Sequence, residues 1–155
     1  ADWPVSDWPV SDWPVSETLH ATCIAIGGRT VVIEGPSGSG KSDLALRLVD
    51  RGAVLVSDDY TFFRRDGAVL RASPPFAIAG RMEVRGIGII SMPYRTDMPV
   101  ALAITIDPHP PRMPDGFGTR TIAGIAVPSL RLPALEPSAA LKVECALMRV
   151  GEMTQ

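Results

Sequence analysis

The sequence predicts a strand-rich α/β domain with mixed sheets, and three observations carry that prediction. A β-branched strand runs directly into a glycine-rich loop and an amphipathic helical pattern, over 30–49. The middle of the chain is crowded with short apolar and β-branched segments that have no helix between them, so the alternation of a doubly wound parallel sheet is missing. A second helical pattern appears at the C-terminal end of the sequence. The length of 155 residues fits one domain with a real core. The 46% hydrophobic and 21% charged content excludes disorder throughout.

Residues 2–16 spell DWPVS three times and hold all three tryptophans, Trp3, Trp8 and Trp13. A period of five suits neither helix nor strand, and a proline in every unit blocks an ordinary helix. Residues 1–16 therefore read as a tail or an added segment, with a natural aromatic docking tail as the alternative, and 17–155 as the working domain. Within it, 22–26 and 30–34 form a hairpin across Gly27-Gly28. Residues 35–40 are the glycine loop. Leu44, Ala45, Leu48 and Val49 give 41–49 a helical stripe, and Gly52 stops it. The apolar run 53–56 is a strand ending at Ser57-Asp58-Asp59. Segments 60–64 and 68–72 flank a turn at Asp66-Gly67, and Pro74-Pro75 interrupts the chain.

Segment 83–92 (EVRGIGIISM) is punctuated by glycine and reads as either a short helix or a loop leading into a strand. Val100 to Ile106 is a buried strand. Four prolines make 108–118 a loop, and 121–127 and 130–132 are short strands. Ser138 caps a final helix, with Leu141, Cys145 and Met148 on one stripe and Val143, Leu147 and Val150 beside it.

Fifteen basic residues against 17 acidic ones give a net charge of −2. Without the three aspartates of the repeat, 15 against 14 give +1. Neither value is a footprint for nucleic acid or an anionic membrane surface. No apolar run approaches the roughly 18 residues of a membrane span, and no signal-peptide pattern is visible. Two cysteines, Cys23 and Cys145, fit a reducing, cytoplasmic setting.

Gly35, Pro36, Ser37, Gly38, Ser39, Gly40, Lys41 and Ser42 match G-x-x-x-x-G-K-[ST] between a strand and a helix. Glycines there let successive backbone N–H groups curl around a phosphate at a helix N-terminus. Lys41 is expected on the β- and γ-phosphates, and the Ser42 hydroxyl on Mg²⁺. No N-K-x-D segment reads guanine, so a phosphotransferase is favoured over a GTPase switch.

Asp58 and Asp59 end the strand after the helix, where α/β sheets place ligands. One of them can take a hydroxyl proton, and the residues leave open which. The competing reading is a polar turn. His20, just before the first strand, is either a partner of that pair or a surface residue. Glu83 and Arg85 flank Val84 and share a face in extended backbone, as a metal ligand and a phosphate contact or as an exposed ion pair.

His20, GPSGSGKS at 35–42, RGAVLVSDD at 51–59 and RMEVRGIGII at 81–90 together resemble the catalytic domain of the HPr kinase/phosphorylase family. The glycine loop occurs in many folds, whereas its combination with the E-x-R-G-x-G core (Glu83, Arg85, Gly86, Gly88) is specific. The resemblance extends from about His20 to Ile90 and thins beyond. It implies a core similar to that of phosphoenolpyruvate carboxykinase, carrying a P-loop. It implies an ATP- and Mg²⁺-dependent serine kinase acting on the phosphocarrier HPr, in the cytoplasm.

By the same resemblance Ser42 and Glu83 are the Mg²⁺ ligands, and the Asp58-Asp59 pair is the base in one direction and the acid in the other. His20 supports the pair, and Arg85 belongs to the signature segment. A downstream arginine is matched by Arg112 in PRMPD, with Arg120 as competitor. The loop that the family links to phosphorolysis is matched by 133–139 (PALEPSA), which has no arginine. The kinase direction is therefore expected, and dephosphorylation by phosphorolysis, in which inorganic phosphate takes the phosphoryl group and leaves as pyrophosphate, is left open. Nothing matches the N-terminal domain of full-length members, so the chain resembles shortened versions, and assembly into a homo-oligomer is open. A small-molecule kinase and a nucleotide sensor without phosphotransfer are the alternatives.

Overall fold

The computed structural model describes residues 15–112 and 115–153. Most of the DWPVS repeat lies outside the described residues, but its last serine does not. Ser16 opens strand β1 (Ser16–Leu19), and Val15 accepts a hydrogen bond from Arg65 N and packs on the core. Two residues of the repeat, Val15 and Ser16, thus take part in the fold.

β2 (Thr22–Ile26) and β3 (Arg29–Glu34) form the expected hairpin, and helix α1 (Lys41–Asp50) follows the glycine loop. β4 (Val54–Ser57) pairs with β2 antiparallel. β5 (Thr61–Asp66) and β6 (Val69–Ser73) pair with Asp66 opposite Val69, so the tight turn is Gly67-Ala68, one residue later than expected. A 3-10 turn (Phe76–Ile78) follows the proline pair.

Of the two readings of the signature segment, the loop leading into a strand is the nearer. A preceding strand, β7 (Arg81–Val84), turns through Arg85, Gly86 and Ile87 into β8 (Gly88–Ser91), and the two pair as a separate two-stranded hairpin. Its glycines sit at the turn, with Gly86 at φ 86° and Gly88 at φ 127°. β9 (Met98–Ile106) is the long strand. The expected strand over 121–127 is instead a turn at Ala123-Gly124 between β10 (Gly118–Ile122) and β11 (Ile125–Leu132). Helix α2 (Ala139–Met153) closes the chain.

Among the described residues the main sheet has nine strands and is mixed. β3 and β11 flank β9 and both run parallel to it, while the β2, β4, β5 and β6 pairings are antiparallel. Alternation along β2 and β3 divides the core in two. Ile24, Val31 and Ile33 face the helices with Leu44, Leu48, Val143 and Leu147. Cys23, Ala25 and Val32 face the other way, onto Phe63, Leu70, Ile122 and Val127. On α2 the buried stripe is Val143, Leu147 and Val150, and Leu141, Cys145 and Met148 point outward. No helix among the described residues is long and apolar enough to cross a membrane.

Candidate active site

β3 and β4 both pair antiparallel with β2, so they run in the same direction and end at one edge of the sheet. Glu34 leads into the glycine loop there, and Ser57 leads into Asp58 and Asp59. Thr22 starts β2 at the same edge, two residues after His20. Strand register alone therefore brings together three segments that are distant in sequence. A cleft of ≈540 Å³ opens at this edge, lined by residues that include His20, Ser37, Gly38, Gly40, Lys41, Ser42, Asp59, Glu83 and Arg85.

The glycine loop is shaped by close approach. A Cβ on Gly35 would meet Ser39 Oγ at 2.8 Å and Ile106 Cβ at 3.1 Å, so any larger residue would have to displace both neighbours. Gly40, at φ 100°, caps α1 and, having no side chain, leaves the first turn's N–H groups without a side-chain acceptor from the cap. Lys41 is nearly buried, and its Nζ donates to Gly35 O at 2.7 Å and Pro36 O at 3.1 Å. The ammonium thus holds the loop curled around itself.

The two aspartates differ sharply. Asp58 is buried and its carboxylate accepts from three donors: Thr22 Oγ1 at 3.0 Å and Ser42 Oγ at 2.7 Å onto Oδ1, and Glu83 N at 3.2 Å onto Oδ2. Asp59 is exposed, at φ 72°, and His20 Nε2 donates to its Oδ1 at 2.8 Å. Thr22, unforeseen from the sequence, fixes the turn from both sides. Its hydroxyl donates to Asp58 and accepts from Asp59 N at 3.2 Å. Its position two residues from His20 was the only available signal. The Tyr60 ring lies against His20, with centroids 5.1 Å apart.

Glu83 and Arg85 both line the cleft, although Arg85 stands in the turn after β7 and not on the extended strand that the shared-face expectation assumed. The Ser42 hydroxyl and the Glu83 carboxylate, both on the cleft wall, are hard oxygen donors of the kind a divalent cation takes. Among the described residues no group of three or more His, Cys, Asp or Glu forms a self-sufficient metal cage.

The downstream arginines separate. Arg112 is exposed on the proline-rich loop and is not among the residues lining the cleft. Arg120 grips Glu34 in a two-point fork, Nε–Oε1 at 2.8 Å and Nη2–Oε2 at 3.1 Å. That hydrogen bond raises its guanidinium above the ordinary arginine value. Arg120 therefore anchors the end of β3 and is committed there.

A family model described as the HPr Serine kinase C-terminal domain matches residues 13–95. An HPr kinase/phosphorylase of Limosilactobacillus reuteri (strain DSM 20016) is 37% identical over 130 residues, 76% of this chain and 41% of the relative. One from Clostridium novyi (strain NT) is 41% identical over 75 residues, 48% of this chain and 24% of the relative. The chain thus spans less than half the length of these relatives. The solved structure of the Hpr(Ser) kinase/phosphatase from Coxiella burnetii superposes with a TM-score of 0.75 at 31% identity. That match covers 89% of this chain and 97% of the other.

Proposed function

Since this chain belongs to the HPr serine kinase C-terminal-domain family, we propose that it transfers the terminal phosphoryl group of ATP to a serine of the phosphocarrier HPr. The observation that carries the reading is the His20–Asp59 pair at 2.8 Å, in the same cleft as the glycine loop and Lys41. An exposed carboxylate beside a site for phosphates is what an incoming alcohol needs.

The phosphates would lie on the N–H groups of the glycine loop, the phosphate-binding P-loop of a carboxykinase-like core. Lys41 Nζ would exchange Gly35 O and Pro36 O for phosphate oxygens. Asp59 Oδ2 takes the seryl proton as the serine oxygen bonds to the γ-phosphorus. The bond from that phosphorus to the β-bridging oxygen breaks, and ADP leaves. His20 holds Asp59 Oδ1 and so aims the other oxygen. Asp58 positions Ser42 and the Glu83 backbone rather than moving a proton. Mg²⁺, bound through Ser42 and Glu83, would neutralise charge on the phosphates. Arg85 lies on the same wall for the transferring group, and the resemblance adds Arg112. Catalysis is then largely positioning and electrostatics. The two free cysteines support a cytoplasmic setting.

The test mixes the chain with ATP, Mg²⁺ and HPr and measures phosphoserine by mass. Transfer that Lys41→Ala abolishes supports the reading. No transfer, with HPr phosphorylated by a full-length relative in the same buffer, sinks it. Turnover with a metabolite but not with HPr would favour the small-molecule kinase.

A further inference from the structure

We propose that Leu135, on the 133–138 segment, is the wall that receives the nucleoside half of the nucleotide. This rests on the reading above, which puts the phosphates at the glycine loop. The cleft wall is chemically mixed: it carries the charged His20, Asp59, Glu83 and Arg85, suited to the acceptor, and the aliphatic Leu135, which stands beside Gly40.

Leu135 is 79% exposed although it lines the cleft, so a large aliphatic side chain stands open to water. The segment carrying it is nonetheless fixed. Arg47 of α1 donates through Nη1 to Glu136 O at 3.0 Å and through Nη2 to Ala134 O. Lys142 pairs with the Glu136 carboxylate. Ala134 is buried in the helix-side core. A Cβ on Gly40 would meet Leu135 Cδ2 at 3.2 Å, which sets the side chain directly against the end of the glycine loop.

Arg47 engages the Ala134 and Glu136 carbonyls, and Ala139 N also donates to Glu136 O, so what the Leu135 side chain itself offers the cleft is apolar area. A flat base or a ribose face laid on Leu135 removes both surfaces from water. Arg47 is then a positioning residue, acting through the segment it pins.

The experiment measures binding of ATP and of inorganic tripolyphosphate, each with Mg²⁺, by calorimetry on the whole chain. Tripolyphosphate carries the phosphates and lacks the nucleoside. Leu135→Ala is expected to weaken ATP roughly fivefold, the scale of one lost apolar contact, and to leave tripolyphosphate within about twofold. Leu135→Trp, which enlarges the surface, is expected to bind ATP at least as tightly as the native chain. Equal affinities of the native chain and Leu135→Ala for both ligands would overturn the inference, as would an equal loss for both. Native protein that binds neither ligand would instead overturn the functional reading, and this inference with it.

Discussion

The Ser42 hydroxyl donates to Asp58 Oδ1 at 2.7 Å, tying the first turn of α1 to the end of β4. The same carboxylate holds Thr22 and the Glu83 backbone, so one buried side chain joins β2, β7 and α1. Its neighbour Asp59 faces solvent and His20. Two adjacent and identical side chains therefore take unlike roles.

Asp58→Ala leaves three donors without their acceptor and is expected to cost about 2–4 kcal/mol of unfolding free energy. Asp59→Ala is expected to stay within about 0.5 kcal/mol of the native chain. Urea denaturation compares the two directly. Equal losses would refute the division of roles.

Asp59→Asn keeps the size of the side chain and removes the base. Phosphoryl transfer to HPr is expected to fall roughly 100- to 10,000-fold while ATP binding is retained. Single-turnover transfer and nucleotide titration separate these effects. A variant that lost ATP binding instead would place Asp59 with the nucleotide.

Burial pushes the Cys23 thiol up to about 12 from an ordinary 9.0. Its folded-state value is the raised one, so the unfolded chain ionises first as pH climbs. The stability contribution is whole below about pH 9 and is lost on the way to about 12, by at most about 1.4 kcal/mol per pH unit. Denaturation between pH 8.5 and 10.5 (~2 units,) should show a shallower decline for Cys23→Ala than for the native chain. At neutral pH iodoacetamide should label exposed Cys145 and spare Cys23, as peptide mass would show.

Arg120→Ala breaks a half-exposed fork to Glu34 and is expected to cost about 0.5–1 kcal/mol, less in high salt. Arg112→Ala, on an exposed loop, is expected to leave stability within about 0.5 kcal/mol while lowering transfer roughly tenfold or more. Paired denaturation and transfer assays distinguish an anchor from a phosphate contact. The reverse pattern would exchange the two assignments.

The glycine loop, α1, the β2–β3 hairpin and β9 were legible because each is written in contiguous residues: turn glycines, a helical stripe, a β-branched run. The signature segment was legible only as a loop leading into a strand, with a short helix equally open. EVRGIGII has glycines that fit several turns, and its strands are secured by pairing with each other rather than by an apolar stripe. Leu141, Cys145 and Met148 form as regular a stripe as Val143, Leu147 and Val150, and only the position of the sheet selects which one is buried.

By themselves the residues determined a strand–glycine loop–helix unit and a small set of charged side chains able to serve it, since backbone freedom and side-chain chemistry are local properties. Which aspartate is buried, which arginine is committed to Glu34, and that Leu135 stands beside Gly40 were decided by tertiary structure alone. Each depends on strand register and packing between segments far apart in the chain, where no neighbouring residue carries the information.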